Sequence, residues 1–309
     1  MVTLRYSRAL RVTLLMIAVC FSSLGAQAKY GGGTGEPNDP YLICTAEQMN
    51  AIGAEPNDWD KHFKLVANVD LSAYTETDFN IIGDWRPFTG VFDGNGHTVS
   101  NFRCISTEPG YLGLFSHVGK RGKDTHIKNL GLIDPKVDAE TVHYVGSLIG
   151  RLHYGTITGC YAHRGSVSGN GCVGGLVGWL DNGNITNCYC SVGVKGSDHL
   201  GGLVGYSYRG AITKCYAAGG VSGGDPVGGL VGSNFLGMCK DSLWDIQTSG
   251  QAASACGTGK TTAEMQKQST FTDAGWDFVD ETANGAEDIW SIVEGRGYPR
   301  LRWELIAEK

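Results

Sequence analysis

The chain has 309 residues, 25 basic and 31 acidic side chains, a formal net charge of −6, and 47 glycines. Glycine at about twice its usual frequency, without a three-residue period, excludes collagen and favours turn-rich β structure. The acidic balance argues against nucleic acid and anionic membrane as partners, since both attract basic surfaces.

Residues 1–28 read as a secretory signal peptide: Arg5, Arg8 and Arg11 precede an apolar core from Val12 to Val19, and Ala26-Gln27-Ala28 is a small-residue cleavage site. The apolar run is too short for a membrane span, and no segment of the mature chain approaches the required length. Ile17-Ala18-Val19-Cys20 invites a lipoprotein reading, but Val19 is large where lipid attachment wants a small residue, so Cys20 is not taken as an anchor. Losing the leader removes three arginines and no acid, which leaves 281 residues, a net charge near −9 and nine cysteines. An odd number of cysteines in an exported chain cannot all join one disulfide framework. Cys44 and Cys104, outside the regular repeats, form one candidate pair.

Residues 29–87 read as a linker followed by an N-terminal cap. Thr45 and Gln48 stand at capping-box spacing ahead of Met49, Ala51 and Ile52, which predicts a short helix closing at Gly53. From His62 to Leu71 apolar and polar residues alternate, as in a half-buried strand.

Residues 88–245 carry the repeat. Val173 to Gly178, Leu200 to Gly205 and Val227 to Gly232 spell the same Gly-Gly-Leu-Val-Gly phrase, with Leu176, Leu203 and Leu230 spaced by 27 residues. A second phrase, Ile-Thr-x-Cys-Tyr, begins at Ile157, Ile185 and Ile212. A fixed period of this size is the mark of a solenoid, whose units bury their apolar faces only by stacking. Anchoring on Val99, Ile127, Ile157, Ile185, Ile212 and Cys239 predicts about six coils of a right-handed parallel β-helix. Phe88 to Val99 reads as two strands joined by a tight turn at Asp93-Gly94-Asn95-Gly96. Cys160, Cys188 and Cys215 share one repeat position and are expected to stack as small buried hydrophobes. Tyr161, Tyr189 and Tyr216 form a similar file, read as scaffold packing. Residues 246–309, rich in aromatics and free of repeats, read as a C-terminal cap folding over the last coil.

The two phrases together resemble the GLUG motif, a repeat of bacterial exported and surface proteins that also occurs in some immunoglobulin-A-cleaving peptidases. Gly175 to Gly178, Gly202 to Gly205 and Gly229 to Gly232 are near-perfect copies, and Gly146-Ser147-Leu148-Ile149-Gly150 is a degenerate fourth. The ending from Leu243-Trp244-Asp245 to Tyr298-Pro299-Arg300-Leu301 is similar to the tails of such proteins. The resemblance implies an all-β solenoid on the cell exterior. It implies structural roles for Leu148, Leu176, Leu203, Leu230, Gly178, Gly205 and Gly232, and no catalytic residue. The zinc motif of the peptidase members, His-Glu-x-x-His, is absent from the 309 residues.

Other motifs carry less. Gly257-Thr258-Gly259-Lys260-Thr261-Thr262 has half of a phosphate-binding loop, but Ser254 stands where the pattern needs glycine, so a helix-entry turn is the better reading. Asp93 with His97 is the nearest approach to a catalytic pair, and turn formation accounts for both. Arg151, His153, His163 and Arg164 crowd one coil. The duplicated Glu-Pro-Asn-Asp at 36–39 and 55–58 has the oxygen-rich look of a calcium loop, although turn chemistry suffices. No metal or cofactor is assigned.

Register exposes one more pattern. Counting from Gly150, Gly178 and Gly205 puts Arg151, Trp179 and Tyr206 in one column and His153, Asp181 and Tyr208 in the next. Such a flank sets aromatic faces beside polar groups and suits a glycan or a surface protein. The sequence therefore reads as an exported, non-enzymatic β-solenoid serving as a cell-surface or extracellular binding or adhesion scaffold. A pectate-lyase-like polysaccharide-degrading enzyme and a purely structural envelope protein are the alternatives.

Overall fold

The computed structural model describes residues 29–307; the leader expected over 1–28, with Cys20, lies outside them. It is a parallel β-solenoid. One file of strands runs from Tyr41–Ile43 through His62–Leu65, Val91–Ser100, His126–Ile133, Thr156–Thr158, Asn184–Thr186 and Ala211–Thr213 to Met238–Lys240, each paired in parallel with the next. These eight rungs make seven turns among the described residues. The file is longer than the expected six coils because parallel pairing reaches back to Tyr41, into the stretch read as a cap.

The expected anchor Val99 is one strand off. Phe92 pairs with Ile127, while Val99 pairs with Leu132. The reason lies at Asp93 to Gly96. Instead of closing a hairpin, Asn95 (φ 50°) and Gly96 (φ 79°) bend a continuing chain round a corner of the coil, and both arms pair in parallel with His126–Ile133. Left-handed backbone of this kind suits asparagine and glycine. The same bend recurs at Asn129, Gly159 and Asn187, and at Lys214 and Asp241 in the later coils.

The interior follows from the motif. Leu148, Leu176, Leu203 and Leu230 are fully buried, and the Leu148, Leu176 and Leu203 amides donate to the carbonyls of Leu176, Leu203 and Leu230. The glycines beside them are set by clearance. A Cβ at Gly175 or Gly202 would stand 2.2 or 2.3 Å from the carbonyl oxygen of the corresponding glycine one coil on. At Gly178 and Gly205 it would meet the backbone of the preceding coil at 2.5 and 2.4 Å. Cys160, Cys188 and Cys215 are buried in one file. The Cys160 amide donates to Cys188 Sγ at 3.4 Å, and Ser242 continues the file by accepting from the Cys215 amide. The disulfide joins Cys239 to Cys256 rather than Cys44 to Cys104; it ties the last rung to the segment beyond it.

At the N-terminal end the helix Ala46–Ala54 has Thr45 as its N-cap and buries Met49 and Ile52. Gln48 reaches back to the amide of Cys44. The C-terminal segment meets the expectation in part. Thr258–Lys260 pairs with Leu243–Asp245, and the Gly229 amide donates to the Ala253 carbonyl, so this stretch covers the last coil. The aromatics beyond it do not lie over the last coil. They pack along one side of the solenoid, where Tyr161, Tyr189 and Tyr216 join Phe271, Trp276, Phe278, Trp290 and Leu301 in one cluster. The tyrosine rings stack at 4.8 and 4.9 Å, within 4° of parallel. Trp303 stacks on Tyr161 at 5.5 Å. The Tyr189 hydroxyl donates to Glu304 Oε2 at 2.9 Å and the Tyr216 hydroxyl to the Pro299 carbonyl at 2.6 Å. Burial raises the Glu304 carboxyl, with Arg300 opposing that shift. The tail thus runs backwards along the coils as a brace.

A cavity in the leucine file is expensive, because its neighbours are fixed by backbone pairing above and below. Leu203→Ala is expected to lose about 2–5 kcal/mol of stability, read as a lowered denaturation midpoint with unchanged β-sheet circular dichroism.

Candidate functional site

Strands Phe115–Val118, Ile149–His153, Val177–Asp181, Val204–Tyr208 and Val231–Phe235 form a second parallel file on the flank away from the brace. Every second side chain points outward. His117, Arg151, Trp179, Tyr206 and Ser233 share one register position, and His153, Asp181, Tyr208 and Phe235 another. The two columns expected from the repeat are therefore neighbours.

Their chemistry differs from the expected ridge with polar groups at its edge. Asp181 is only 5% exposed. Its Oδ2 accepts from Arg151 Nη2 at 2.5 Å, His153 Nε2 lies 3.7 Å from the same oxygen, and Oδ1 accepts from Asn182 Nδ2 at 2.7 Å. Arg151 also donates to the Tyr111 hydroxyl at 3.1 Å, and its guanidinium carbon lies 4.2 Å from the Trp179 ring centre. Arg151 and Asp181 thus hold Trp179 in place, with their charges spent on each other.

Trp179 belongs to a longer run of rings. Trp85 meets Tyr111 at 6.1 Å, Tyr111 meets Tyr144 at 5.5 Å, Tyr144 stacks on Trp179 at 5.0 Å and 28°, and Trp179 meets Tyr206 at 6.4 Å. Tyr208 stands aside from this run and stacks on the exposed Phe235 at 5.8 Å, with the Arg209 guanidinium carbon 5.1 Å from its ring centre. Tyr111, Tyr144 and Trp85 were not picked out from the sequence. A signal existed for two of them. Tyr111-Leu112-Gly113 and Tyr144-Val145-Gly146 hold the position filled by Cys172 and His199 in the regular coils, so aligning the degenerate coils would have found them.

His117 lies beneath this run, 5.3 Å from the Tyr111 ring and 6.2 Å from His153. Burial, with the Arg151 charge next in weight, lowers its pKa to about 4. Burial also pushes the Cys172 thiol up to about 12.

The remaining candidates are tied down elsewhere. Asp93 pairs with Lys128 at 3.4 Å and accepts from the Asn95 amide, while His97 faces Asn68 at 3.2 Å. His163 contacts Ser191 and Arg164 pairs with Asp134 on a different side of the coil, so the four basic residues of that coil do not converge. Glu36 pairs with Lys61, and Asp58 with Lys29. Thr258–Lys260 is a strand paired with Leu243–Asp245, and Thr261 caps the helix Thr262–Met265 in a capping box with Glu264, as a helix-entry turn requires.

A parallel β-solenoid with a braced side and an aromatic side is the class that these features define. Residues 169–194 and 196–222 match the family model for the GLUG motif, so the chain carries two copies of that repeat. It is 31% identical over 151 residues to a "Putative Gly-rich membrane protein" of Evansella cellulosilytica, covering 47% of this chain and 17% of that one. It is 32% identical over 132 residues to halomucin of Haloquadratum walsbyi, covering 41% of this chain and 1% of that one. The chain thus spans a small part of these relatives. Its fold is similar to a crystal structure titled as a putative immunoglobulin A1 protease from Bacteroides ovatus, with a TM-score of 0.60 and 19% identity over 89% of this chain and 96% of that one. No helix among the described residues is long and apolar enough to cross a membrane.

Two outcomes test this geometry. Asp181→Asn leaves the Arg151 charge half-buried without its partner, and is expected to cost about 3–5 kcal/mol, measured by chemical denaturation. His117 is neutral when folded and titrates near 6.5 when unfolded, so its contribution is complete above pH 6.5 and is lost as pH falls towards about 4. Thermal midpoints are expected to drop across that window, and His117→Asn to flatten the drop.

Proposed function

We propose that the protein is an exported, non-enzymatic scaffold of the cell surface or extracellular space whose aromatic flank binds glycans. The observation that carries this reading is the run of rings from Trp85 to Tyr206 along the solenoid axis. Sugar rings present C–H faces that pack on aromatic rings, while hydroxyls seek hydrogen-bond partners at the ring edges. The Tyr111, Tyr144 and Tyr206 hydroxyls supply such partners. Because each ring is carried by a different coil, backbone pairing fixes the spacing before any ligand arrives, which lowers the ordering cost of binding. Arg151 and Asp181 serve as positioning residues for Trp179, while Tyr208 extends the surface towards Phe235.

The exterior setting draws on the expected leader and on the names of the relatives, a Gly-rich membrane protein and a halomucin. Non-enzymatic action draws on the state of the carboxylates along the flank. Asp181, the acid at its centre, is buried and paired with Arg151, and is poorly placed for the acid and base roles of glycan cleavage.

Glycan-array and whole-cell binding should separate wild type from a Trp179→Ala/Tyr206→Ala double variant. The variant is expected to bind about tenfold or more weakly, a loss of roughly 1.4 kcal/mol or greater. Equal binding by the two proteins would remove the flank from the function.

A further inference from the structure

We propose that the pocket beside Trp85 is the sugar-selecting end of the flank and takes a single uncharged hexose ring. This rests on reading the flank as glycan-binding, and names its ligand class and its point of entry.

Trp85 is 79% exposed, more than any other large hydrophobic residue among those described. Its loop is pinned on both sides. Ile82 bridges to Phe115 and Phe88 to Val118, both Ile82 and Phe88 are fully buried, and Gly83 makes the bend at φ 86°. The indole is therefore held out into solvent by a fixed frame, in edge contact with Tyr111 at 6.1 Å and 63°. An exposed tryptophan presented this way has lost the apolar cover that burial would give it, and a ligand face restores that cover.

Beside it lies a cavity of about 230 Å³, whose lining includes Ile81, Asp84, Glu108, Tyr111 and Ser116. Sites for drug-sized ligands run from about 300 to 1,000 Å³, so this cavity suits one ring and not a chain. Its walls combine apolar surface with carboxylate and hydroxyl acceptors, the pairing that a sugar ring needs.

Charge decides the class of sugar. Two arginines of the neighbourhood each face an acid of their own. Arg86 pairs with Asp84 at 3.7 Å and lies 5.7 Å from the Trp59 ring centre. Arg151, on the far side of Tyr111, is held by Asp181. Glu108, which makes no ion pair among the described residues, presents an unneutralised carboxylate to the cavity, so a uronic acid meets like charge there while a neutral hexose donates its hydroxyls to it.

The test is titration of the full chain with neutral hexose oligosaccharides and with the corresponding uronic-acid oligosaccharides at low salt, read by tryptophan fluorescence and calorimetry. Neutral sugars are expected to bind about tenfold or more tightly than uronic acids. Trp85→Ala, which leaves the core untouched, is expected to lose at least that factor for the neutral sugars, and Glu108→Gln to narrow the gap between the two classes. If Trp85→Ala binds as wild type while Trp179→Ala/Tyr206→Ala does not, the pocket is overturned and the flank stands. Equal or tighter binding of uronic acids overturns the selectivity. If no sugar of either class binds wild type, the reading of the flank falls, and the pocket with it.

Discussion

Everything in this molecule depends on one arrangement: a coil of about 27 residues whose outward backbone groups are satisfied only by the coils on either side. The leucine amides of the repeat show it most directly, since those of Leu148, Leu176 and Leu203 each donate to a leucine carbonyl one coil further on. Backbone groups buried without partners are costly. The stack must therefore form with its members in register, and the registers that put Leu176 over Leu203 also put Trp179 beside Tyr206. Interior packing and surface pattern are two faces of the same constraint.

That constraint explains why a sequence with 47 glycines holds a single fold. Glycine ordinarily loosens a chain, but the motif glycines sit where backbones of adjacent coils approach too closely for a side chain. The neighbouring Leu and Val residues fill the interior, and the cysteines at 160, 188 and 215 fill a smaller corner of it. Along the outside, the same register lets Arg151 reach from one coil to Asp181 on the next, an ion pair whose members are 30 residues apart in sequence. Few other architectures bring such distant residues together at every step.

Much of this was legible in the repeat. Periodicity located the leucine file, the cysteine file, the tyrosine file and the two columns at Trp179 and Asp181, because a fixed repeat translates directly into neighbours in space. What periodicity could not supply lay where the repeat is degenerate or absent. The coils before Ile127 differ in length, so Val99 looked like an anchor when Phe92 held that place. The Asp93 to Gly96 segment has hairpin chemistry locally, yet parallel pairing on both arms turned it into a corner. The tail after Leu243 has aromatics without a period, and its side is set by ring packing on Tyr161, Tyr189 and Tyr216 together with the hydroxyl bonds of the last two, none of which a period marks. Burial of Asp181 was also invisible, since register states which residues are adjacent and not how deeply they sit.

The tail carries a consequence for how such a chain can change over generations. Solenoids readily gain or lose units by duplication and deletion, as each unit needs only its immediate neighbours. Here Trp303, Glu304 and Pro299 grip three successive tyrosines, at 161, 189 and 216. One coil added between the first and last of these would displace the grips by about 4.8 Å, so that at most part of the tail could still engage. Because Trp303 also packs beside Gly96 of Val91–Ser100, copy number is locked from that coil to Tyr216, and the strap acts as a ruler for that part of the rod.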